Sequence, residues 1–413
     1  MGIWRHTPDV GKRGRGMSDG VLRLAGRAAA TLVAGALVVG LLAGCGGVRV
    51  SSTAPPPAAT ASPTPPVVAE PTTLSLAAKL LPLPKGAYLG VYAPPAPFEA
   101  SAVASFESAA GKGVGIVMWY QPWARDNRYR VDSKAVSALL IDGKVPLITW
   151  EPWDPGSNAN QVKNPGVNPT YRLSRIIAGD FDDYIRSWAR DLRSLGGPVL
   201  LRPMHEMNGN WYPWCGTVNG NRPPEYVQAW RHMHDIFTQE GADNVAWVWS
   251  INHESVPAST NNRYAAYYPG DAYVDWTSIS GFNWGTSSSF GQWQPWWHWY
   301  EKPLTYLETL RKPICISEFA TVEQGGDKAA WLLDAYRRIA QHPKVKAVVY
   351  YDAHEKGPTR DQDWRMESTT RSRNAFRRAV APAYFSADAP PALRDWLAAL
   401  STGERTLLEG LGR

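Results

Sequence analysis

The sequence predicts one α/β domain of the (β/α)8 barrel class, and three observations support this prediction. Eight short apolar, β-branched or aromatic runs alternate with helix-like stretches through the middle of the chain. The runs are apolar throughout, which is typical of parallel strands that are buried on both faces. Together they occupy about 300 residues, the size of one such barrel with long loops. A doubly wound open sheet is the alternative.

The N-terminus has the layout of a secretory signal over residues 1–44. Residues 1–27 carry six basic and two acidic side chains, and an apolar run that ends in small residues follows at positions 28–45. The ending Leu42-Ala43-Gly44-Cys45 resembles a bacterial lipobox, which implies cleavage before Cys45 and a lipid on its thiol. An uncleaved membrane anchor is the alternative. In both cases we expect an extracytoplasmic protein that is tethered to the membrane in a bacterial cell envelope.

The composition indicates a folded protein with no affinity for nucleic acid. Hydrophobic residues make up 44% of the chain and charged residues 19%, which allows a large core. Most of the net charge of +6 lies in the first 27 residues, so the mature protein is close to neutral. No large basic surface remains for a phosphate backbone. We expect a monomer.

Between the signal and the barrel, the chain is rich in Pro, Ala, Ser and Thr. Residues 45–84 therefore predict an extended tether. The barrel is predicted over residues 85–385, followed by a tail at 386–413 with one or two short helices.

Each barrel unit is predicted from its own run. The predicted strands are AYLGVYAP (87–94), GVGIVMWYQPW (113–123), VPLITWEPW (145–153), PVLLRPMHEM (198–207), NVAWVWSIN (244–252), WTSISGFNW (276–284), PICISEFA (313–320) and VKAVVYYDA (345–353). Residues 180–195 and 224–241 predict two of the connecting helices. Cys315 lies within a strand run, and we expect both Cys215 and Cys315 to be buried thiols.

Polar and aromatic residues follow seven of the eight runs. Because the C-terminal ends of barrel strands face a single mouth, these residues predict one active site. They are Trp119-Tyr120-Gln121, Trp150-Glu151, His205-Glu206, Asn252-His253, Asn283-Trp284, Ser317-Glu318 and Tyr351-Asp352.

Several chemistries lack the residues that they need. His205-Glu206 would open an H-E-x-x-H zinc helix, but position 209 is Gly. His232 and His234 are two positions apart, which points them to different faces of a helix. Within the predicted barrel, the sequence contains neither a G-x-S-x-G nucleophile elbow nor a P-loop or dinucleotide fingerprint. We therefore expect no metal and no cofactor.

Two carboxylates remain at strand ends, Glu206 after the fourth run and Glu318 after the seventh. Cleavage of a glycosidic bond needs such a pair, one acid to protonate the leaving oxygen and one carboxylate to attack the sugar carbon. A separation of about 5–5.5 Å would allow a covalent intermediate and retention. The alternative is that each Glu is a solvated loop residue or an ion-pair partner.

The aromatic content favours a sugar as the substrate. The chain has 20 Trp residues, and several follow strands. Indole rings stack on the apolar C–H faces of sugars, whereas Trp247 and Trp249 lie in the middle of a strand and are predicted to be core. The candidate substrate-binding aromatic residues are Tyr120, Trp150, Trp211, Trp284 and Tyr351.

These segments resemble glycoside hydrolase family 26, the family of β-mannanases and related endo-β-glycanases. RPMHEMNGNWYPW (202–214) resembles the acid/base segment of the family and PICISEFA its nucleophile segment; YPGDAYVDW (268–276), ITWEPW (148–153) and DWR (363–365) are also similar. The resemblance covers about residues 85–380. It implies a retaining endo-hydrolase with Glu206 as proton donor, Glu318 as nucleophile and His205 as a sugar ligand at the cleavage subsite. The expected substrate is β-1,4-mannan.

One departure from the family leaves the substrate open. The family often has a Tyr on strand six whose hydroxyl contacts the nucleophile, and this chain has Phe282, which cannot donate a hydrogen bond. Mixed-linkage β-glucan and β-1,3-xylan therefore remain alternatives. So do a non-catalytic oligosaccharide-binding lipoprotein, which would tolerate loss of both carboxylates, and a transglycosylase that uses the same two residues.

The mechanism requires Glu206 to stay protonated while Glu318 is charged. Burial among Trp rings and the charge of Glu318 would both raise the pKa of Glu206. Arg202 lies four residues before Glu206 and on the same face of the strand. It either points toward the site and keeps Glu318 ionised, or it is a barrel-interior Arg with structural partners.

Overall fold

The computed structural model describes residues 82–123, 129–155, 166–289, 291–357 and 360–412. The predicted signal, the lipid-attachment residue Cys45 and the tether up to position 81 lie outside these residues.

Eight parallel strands form a closed barrel, because each strand pairs with the next in sequence and the first also pairs with the eighth. The predicted (β/α)8 barrel is therefore confirmed, and each of the eight predicted runs forms one strand. The strands are β1 (Ala87–Tyr92), β2 (Ile116–Pro122), β3 (Val145–Glu151), β4 (Val199–Pro203), β5 (Val245–Asn252), β6 (Trp276–Asn283), β7 (Ile314–Thr321) and β8 (Val345–Tyr351).

Helices follow the strands and cover the outside of the barrel. Those described are α1 (Ala100–Ala110), α2 (Ser133–Ile141), α3 (Leu173–Ile177), α4 (Asp182–Leu195), α5 (Pro223–Gln239), α6 (Trp296–Thr309), α7 (Lys328–Ile339) and α8 (Thr370–Val380). Short 3-10 turns lie at Pro169–Tyr171, Thr260–Asn262, Tyr264–Tyr267 and Asp271–Tyr273.

Helix α4 shows why these segments fold as they do. Ile185, Trp188, Ala189, Leu192 and Leu195 are buried and recur at helical spacing, so they form one apolar face toward the sheet. Asp182 and Asp183 lie in the first turn, where negative charge favours the helix dipole. The helix predicted over residues 180–195 is confirmed.

The core between strands and helices is rich in aromatic side chains. Trp247 packs against Trp230 and Phe237 of helix α5, with ring centroids 5.5 and 5.1 Å away. Trp249 is also fully buried, as predicted for both mid-strand tryptophans. Cys215 and Cys315 are buried free thiols, which confirms that prediction.

The chain continues beyond the eight units with small additions. An antiparallel hairpin of β9 (His354–Gly357) and β10 (Arg360–Asp363) follows β8, and β11 (Phe385–Ser386) pairs with β1. The tail forms α9 (Pro391–Ala399) and α10 (Thr402–Gly412). None of the helices described is long and apolar enough to cross a membrane.

Candidate active site

The parallel barrel brings the C-terminal ends of its strands to one face, and both predicted carboxylates lie there. Glu206 follows the end of β4, and Glu318 lies within β7, where it is paired in register with Ser280 of β6. Each residue retains only 4% of its surface exposed to solvent. The two carboxyl groups are therefore shielded from bulk water, which strengthens every electrostatic interaction between them and their neighbours.

An unusual backbone segment presents Glu206. Met204 and Glu206 have φ values of 48° and 53°, which non-glycine residues adopt only rarely. The Glu206 N–H donates to the Ser250 carbonyl at 2.9 Å, which ties the segment to β5. Strand β4 ends earlier than predicted, at Pro203, because the chain turns here. Backbone strain of this kind is found preferentially at functional sites.

Two donors hold the Glu206 carboxyl group. The Asn252 amide donates to Oε1 at 3.0 Å, and the Trp211 indole N–H donates to Oε2 at 2.9 Å. Burial raises the pKa of Glu206 to about 7, and the charge of Glu318 adds to this rise, whereas the Asn252 and Trp211 donors oppose it. The group can therefore carry a proton near neutral pH.

Arg202 is the counter-ion of Glu318. Its Nη2 donates to Glu318 Oε1 at 2.5 Å, and neither side chain is appreciably exposed. The same guanidinium donates to Thr149 Oγ1 and to Ser317 Oγ, each at 2.7 Å. Both of the roles weighed for Arg202 are thus present, since it is a barrel-interior residue with structural partners and also an ion-pair partner.

Glu318 has further support that sequence reasoning missed. Ser280 Oγ lies 3.4 Å from Glu318 Oε1 on the adjacent strand. Tyr300, from helix α6, donates its hydroxyl to the Gly281 carbonyl at 2.5 Å and lies 3.3 Å from the Glu318 carbonyl. The alternation of Ser278 and Ser280 along β6 could have identified an inward polar face, but nothing near Tyr300 in sequence indicates its position.

Four of the predicted substrate-binding aromatics lie around the mouth. Trp211 contacts Glu206 directly and stays partly exposed. The others belong to one continuous aromatic row whose ring centroids are 5.1, 4.5, 5.0 and 6.2 Å apart in turn. The row consists of Tyr120, Tyr92, Tyr351, Phe282 and Trp284. Sequence reasoning missed Tyr92, although it ends strand β1.

Trp150 does not lie at this mouth, and its prediction as a substrate ligand is wrong. It is fully buried between the strands and the outer helices. Its ring lies 5.1 Å from Trp188 of α4 and 5.9 Å from Phe237 of α5. The preceding residue, Thr149, contacts Arg202 inside the barrel, and successive strand side chains point to opposite faces.

His205 lies beneath the mouth and has no exposed surface. Its Nε2 is 3.1 Å from the Tyr212 hydroxyl, and its ring lies 4.7 Å from that of Tyr212 and 5.9 Å from that of Tyr120. A direct contact with a sugar would require these covering rings to move.

Phe282 faces the mouth with Tyr351 and Trp364, at ring distances of 5.0 and 5.1 Å. The hydrogen-bond donors to Glu318 are therefore Arg202 and Ser280, and residue 282 is not one of them.

Within the described residues, no three His, Cys, Asp or Glu side chains form a cluster that could hold a metal ion.

Sequence comparison finds known proteins that this chain resembles. Residues 146–298 match glycosyl hydrolase family 26. The chain is 37% identical to endoglucanase H of Acetivibrio thermocellus over 301 residues, which is 71% of this chain and 30% of that protein. It is 34% identical to mannan endo-1,4-beta-mannosidase A and B of Caldalkalibacillus mannanilyticus over 110 residues, 25% of this chain and 20% of that one. The chain thus spans less than a third of the length of either relative.

Comparison of structures supports the same fold. A β-mannanase from Bacteroides ovatus superimposes with a TM-score of 0.55 and 18% identity, covering 73% of this chain and 90% of that one. At this identity the likeness concerns the fold alone. The chain therefore resembles glycosyl hydrolase family 26 over residues 146–298, and the described domain shares the (β/α)8 barrel fold of the Bacteroides ovatus protein.

Proposed function

We propose that the protein is a retaining endo-β-glycanase that hydrolyses a β-linked polysaccharide, with β-1,4-mannan as the expected substrate. The observation that carries the proposal is the contrast between the two carboxyl groups. The pKa of Glu206 is raised to about 7, mainly by burial, so it holds a proton, whereas Glu318 is paired with the Arg202 guanidinium. One acid and one carboxylate are what glycosidic cleavage needs.

In the first step, Glu206 is the acid and Glu318 is the nucleophile. The Glu206 O–H protonates the glycosidic oxygen while a Glu318 oxygen attacks the anomeric carbon. The bond from that carbon to the leaving oxygen breaks, and a glycosyl ester of Glu318 forms. Glu206 is left as a carboxylate, which the donors from Asn252 and Trp211 stabilise.

In the second step, Glu206 acts as the base. It takes a proton from a water molecule while the water oxygen attacks the anomeric carbon. The ester bond breaks, and Glu318 returns to its ion pair with Arg202. Two displacements at the same carbon retain its configuration. Transfer to a sugar hydroxyl instead of water would make the protein a transglycosylase.

The aromatic row and Trp211 are the proposed sugar contacts. Aromatic faces suit the apolar C–H faces of a pyranose, and the hydroxyl groups of Tyr120 and Tyr351 supply polar partners at the same surface. Tyr351 donates to Glu355 Oε1 at 2.7 Å, so its ring is fixed in place. His205 remains a predicted ligand of the cleavage subsite, and Trp150 is removed from the set.

A β-linked glucan is the second candidate substrate. A relative that is 37% identical over 301 residues is an endoglucanase, whereas the mannosidase match at 34% identity covers 110 residues. Phe282 in place of the Tyr that the family often carries agrees with a subsite different from that of a mannanase.

Location outside the cytoplasm fits a polymeric substrate. The basic and apolar start of the chain and the lipobox ending at Cys45 support export and a lipid anchor. Metabolic labelling with a fatty acid should label the wild type and not Cys45→Ala. Labelling of both would show that the thiol is not the attachment site. We also propose that the protein acts as a monomer.

The experiment that tests the function is hydrolysis of a polysaccharide panel with Glu318→Ala as the control. The panel holds β-mannan, galactomannan, mixed-linkage β-glucan, β-1,3-xylan and carboxymethyl cellulose. Release of reducing ends from one substrate, lost in the control, would support the mechanism and identify the sugar. Equal activity in the control would contradict it, and a folded but inactive wild type would favour the oligosaccharide-binding alternative.

A further inference from the structure

Two buried polar atoms face each other beneath the acid/base residue. Glu151 Oε1 and His205 Nδ1 lie 4.0 Å apart, and both side chains are fully enclosed. Neither atom has a hydrogen-bond partner among the described residues. Burying a polar atom without a hydrogen-bond partner is unfavourable in free energy, and this desolvation penalty applies to both atoms. A hydrogen bond between them requires this distance to shorten by about 1 Å.

The two groups are complementary when both are neutral. Burial raises the pKa of Glu151 well above its ordinary value, and this favours a carboxylic acid with an O–H to donate. Burial, together with the positive charge of Arg202, lowers the pKa of His205 well below its ordinary value. A neutral imidazole has one nitrogen that accepts and one that donates.

The remaining contacts are compatible with one arrangement of the protons, which the proposal adopts. Glu151 Oε2 already accepts from the Trp153 indole N–H at 3.3 Å, so Oε1 is the oxygen available to hold a proton. His205 Nε2 lies 3.1 Å from the Tyr212 hydroxyl oxygen. A proton on Nε2 donates to this oxygen and leaves Nδ1 as the acceptor that faces Glu151.

We propose that Glu151 is a positioning residue for Glu206. As a neutral acid, Glu151 donates from Oε1 to His205 Nδ1, and this bond fixes the histidine tautomer that is protonated on Nε2. The proposal rests on the proposed function for the role of Glu206. His205 directly precedes Glu206, whose φ of 53° is rarely adopted. The Trp214 indole N–H holds the His205 carbonyl at 2.7 Å. Anchoring the ring as well as the carbonyl would fix the direction in which the next side chain points.

A pair of variants separates the donor from the charge. Glu151→Gln keeps an N–H donor and an oxygen acceptor without any charge, whereas Glu151→Met has a similar size and no donor. We expect Glu151→Gln to keep kcat within about threefold and Glu151→Met to lose on the order of 100-fold in kcat at an unaltered KM, because a displaced reacting group slows the chemical step. Equal impairment of both variants, or full activity of Glu151→Met, would overturn the proposal.

A spectroscopic measurement decides the tautomer without relying on activity. In the full chain labelled with 15N-histidine, the His205 signals are assigned by their absence in His205→Asn. We expect a protonated Nε2 and an unprotonated Nδ1 in the wild type and in Glu151→Gln. A protonated Nδ1 or an imidazolium would refute the proposal, even if Glu151→Met fails to fold. Should the polysaccharide panel show no activity, the proposed function fails while this measurement still tests the hydrogen bond.

Discussion

The buried ion pair between Arg202 and Glu318 can be tested by a double-mutant cycle. The three variants are Arg202→Met, Glu318→Gln and the combination of both. The side chains are 0% and 5% exposed, and their charged atoms are in direct contact. If Arg202 is the counter-ion of Glu318, each single replacement leaves one charge buried without its partner. If Arg202 only fills the barrel with its bonds to Thr149 and Ser317, the two replacements should act independently.

The expected coupling follows from this burial. Removing one partner of a buried pair costs about 3–5 kcal/mol, because the remaining charge is uncompensated. The double variant retains neither charge, so it should be less destabilised than the sum of the single variants by about 3 kcal/mol. The loss of the Arg202 bonds to the Thr149 and Ser317 hydroxyls is common to the Arg202→Met and double variants, so it cancels in the cycle.

Urea unfolding of the four proteins measures this coupling. The surface pair Arg130–Asp191 is the matched control, since its atoms are 2.8 Å apart but its side chains are 52% and 30% exposed. Arg130→Met and Asp191→Asn should show a coupling of about 0.2–1 kcal/mol. A coupling at Arg202 and Glu318 no larger than that of the surface pair would refute the role of Arg202 as counter-ion.

Three further predictions concern Glu206. Because protonated Glu206 is the acid, kcat/KM should fall as pH rises through about 7. Trp211→Phe removes a donor that favours the Glu206 carboxylate, so the fall in kcat/KM should occur at higher pH in this variant. A fall at lower pH than in the wild type would contradict the assignment of Glu206 as the acid. Azide should partly restore the activity of Glu206→Ala on an activated aryl glycoside, and no recovery would count against an acid/base role. Since the pKa of Glu206 is raised in the folded state, the contribution of this group to wild-type stability declines as pH rises from about 4.5 to about 7. Glu206→Gln should therefore match the wild type in urea unfolding at pH 4 but exceed it by on the order of 3 kcal/mol at pH 8; equal stability at both values would argue against the raised pKa.

The strands could be predicted because parallel strands buried on both faces leave continuous apolar runs in the sequence. The residue at which β4 ends could not be predicted in this way. The run predicted to Met207 stops at Pro203, since Met204 and Glu206 adopt positive φ without being glycine. No residue type in RPMHEM signals this turn, which the neighbouring strand β5 supports through a backbone hydrogen bond.

Site residues that end a strand could be predicted from the sequence. Those whose role depends on side-chain direction or on packing between distant segments could not. Glu206 and Glu318 lie at the mouth, but Trp150 is one residue from the inward-facing Thr149 and therefore points outward. Tyr300 reaches Glu318 from a helix, and such an approach depends on the tertiary fold.

The most direct test of the central claim is to trap the covalent intermediate. An activated 2-fluoro glycoside of the sugar that the panel identifies would be incubated with the protein, and peptide mapping by mass spectrometry would locate the label. We expect one label, on Glu318, and none in Glu318→Ala. A label on another residue, or hydrolysis with inversion at the anomeric carbon, would contradict the assignment of Glu318 as the nucleophile.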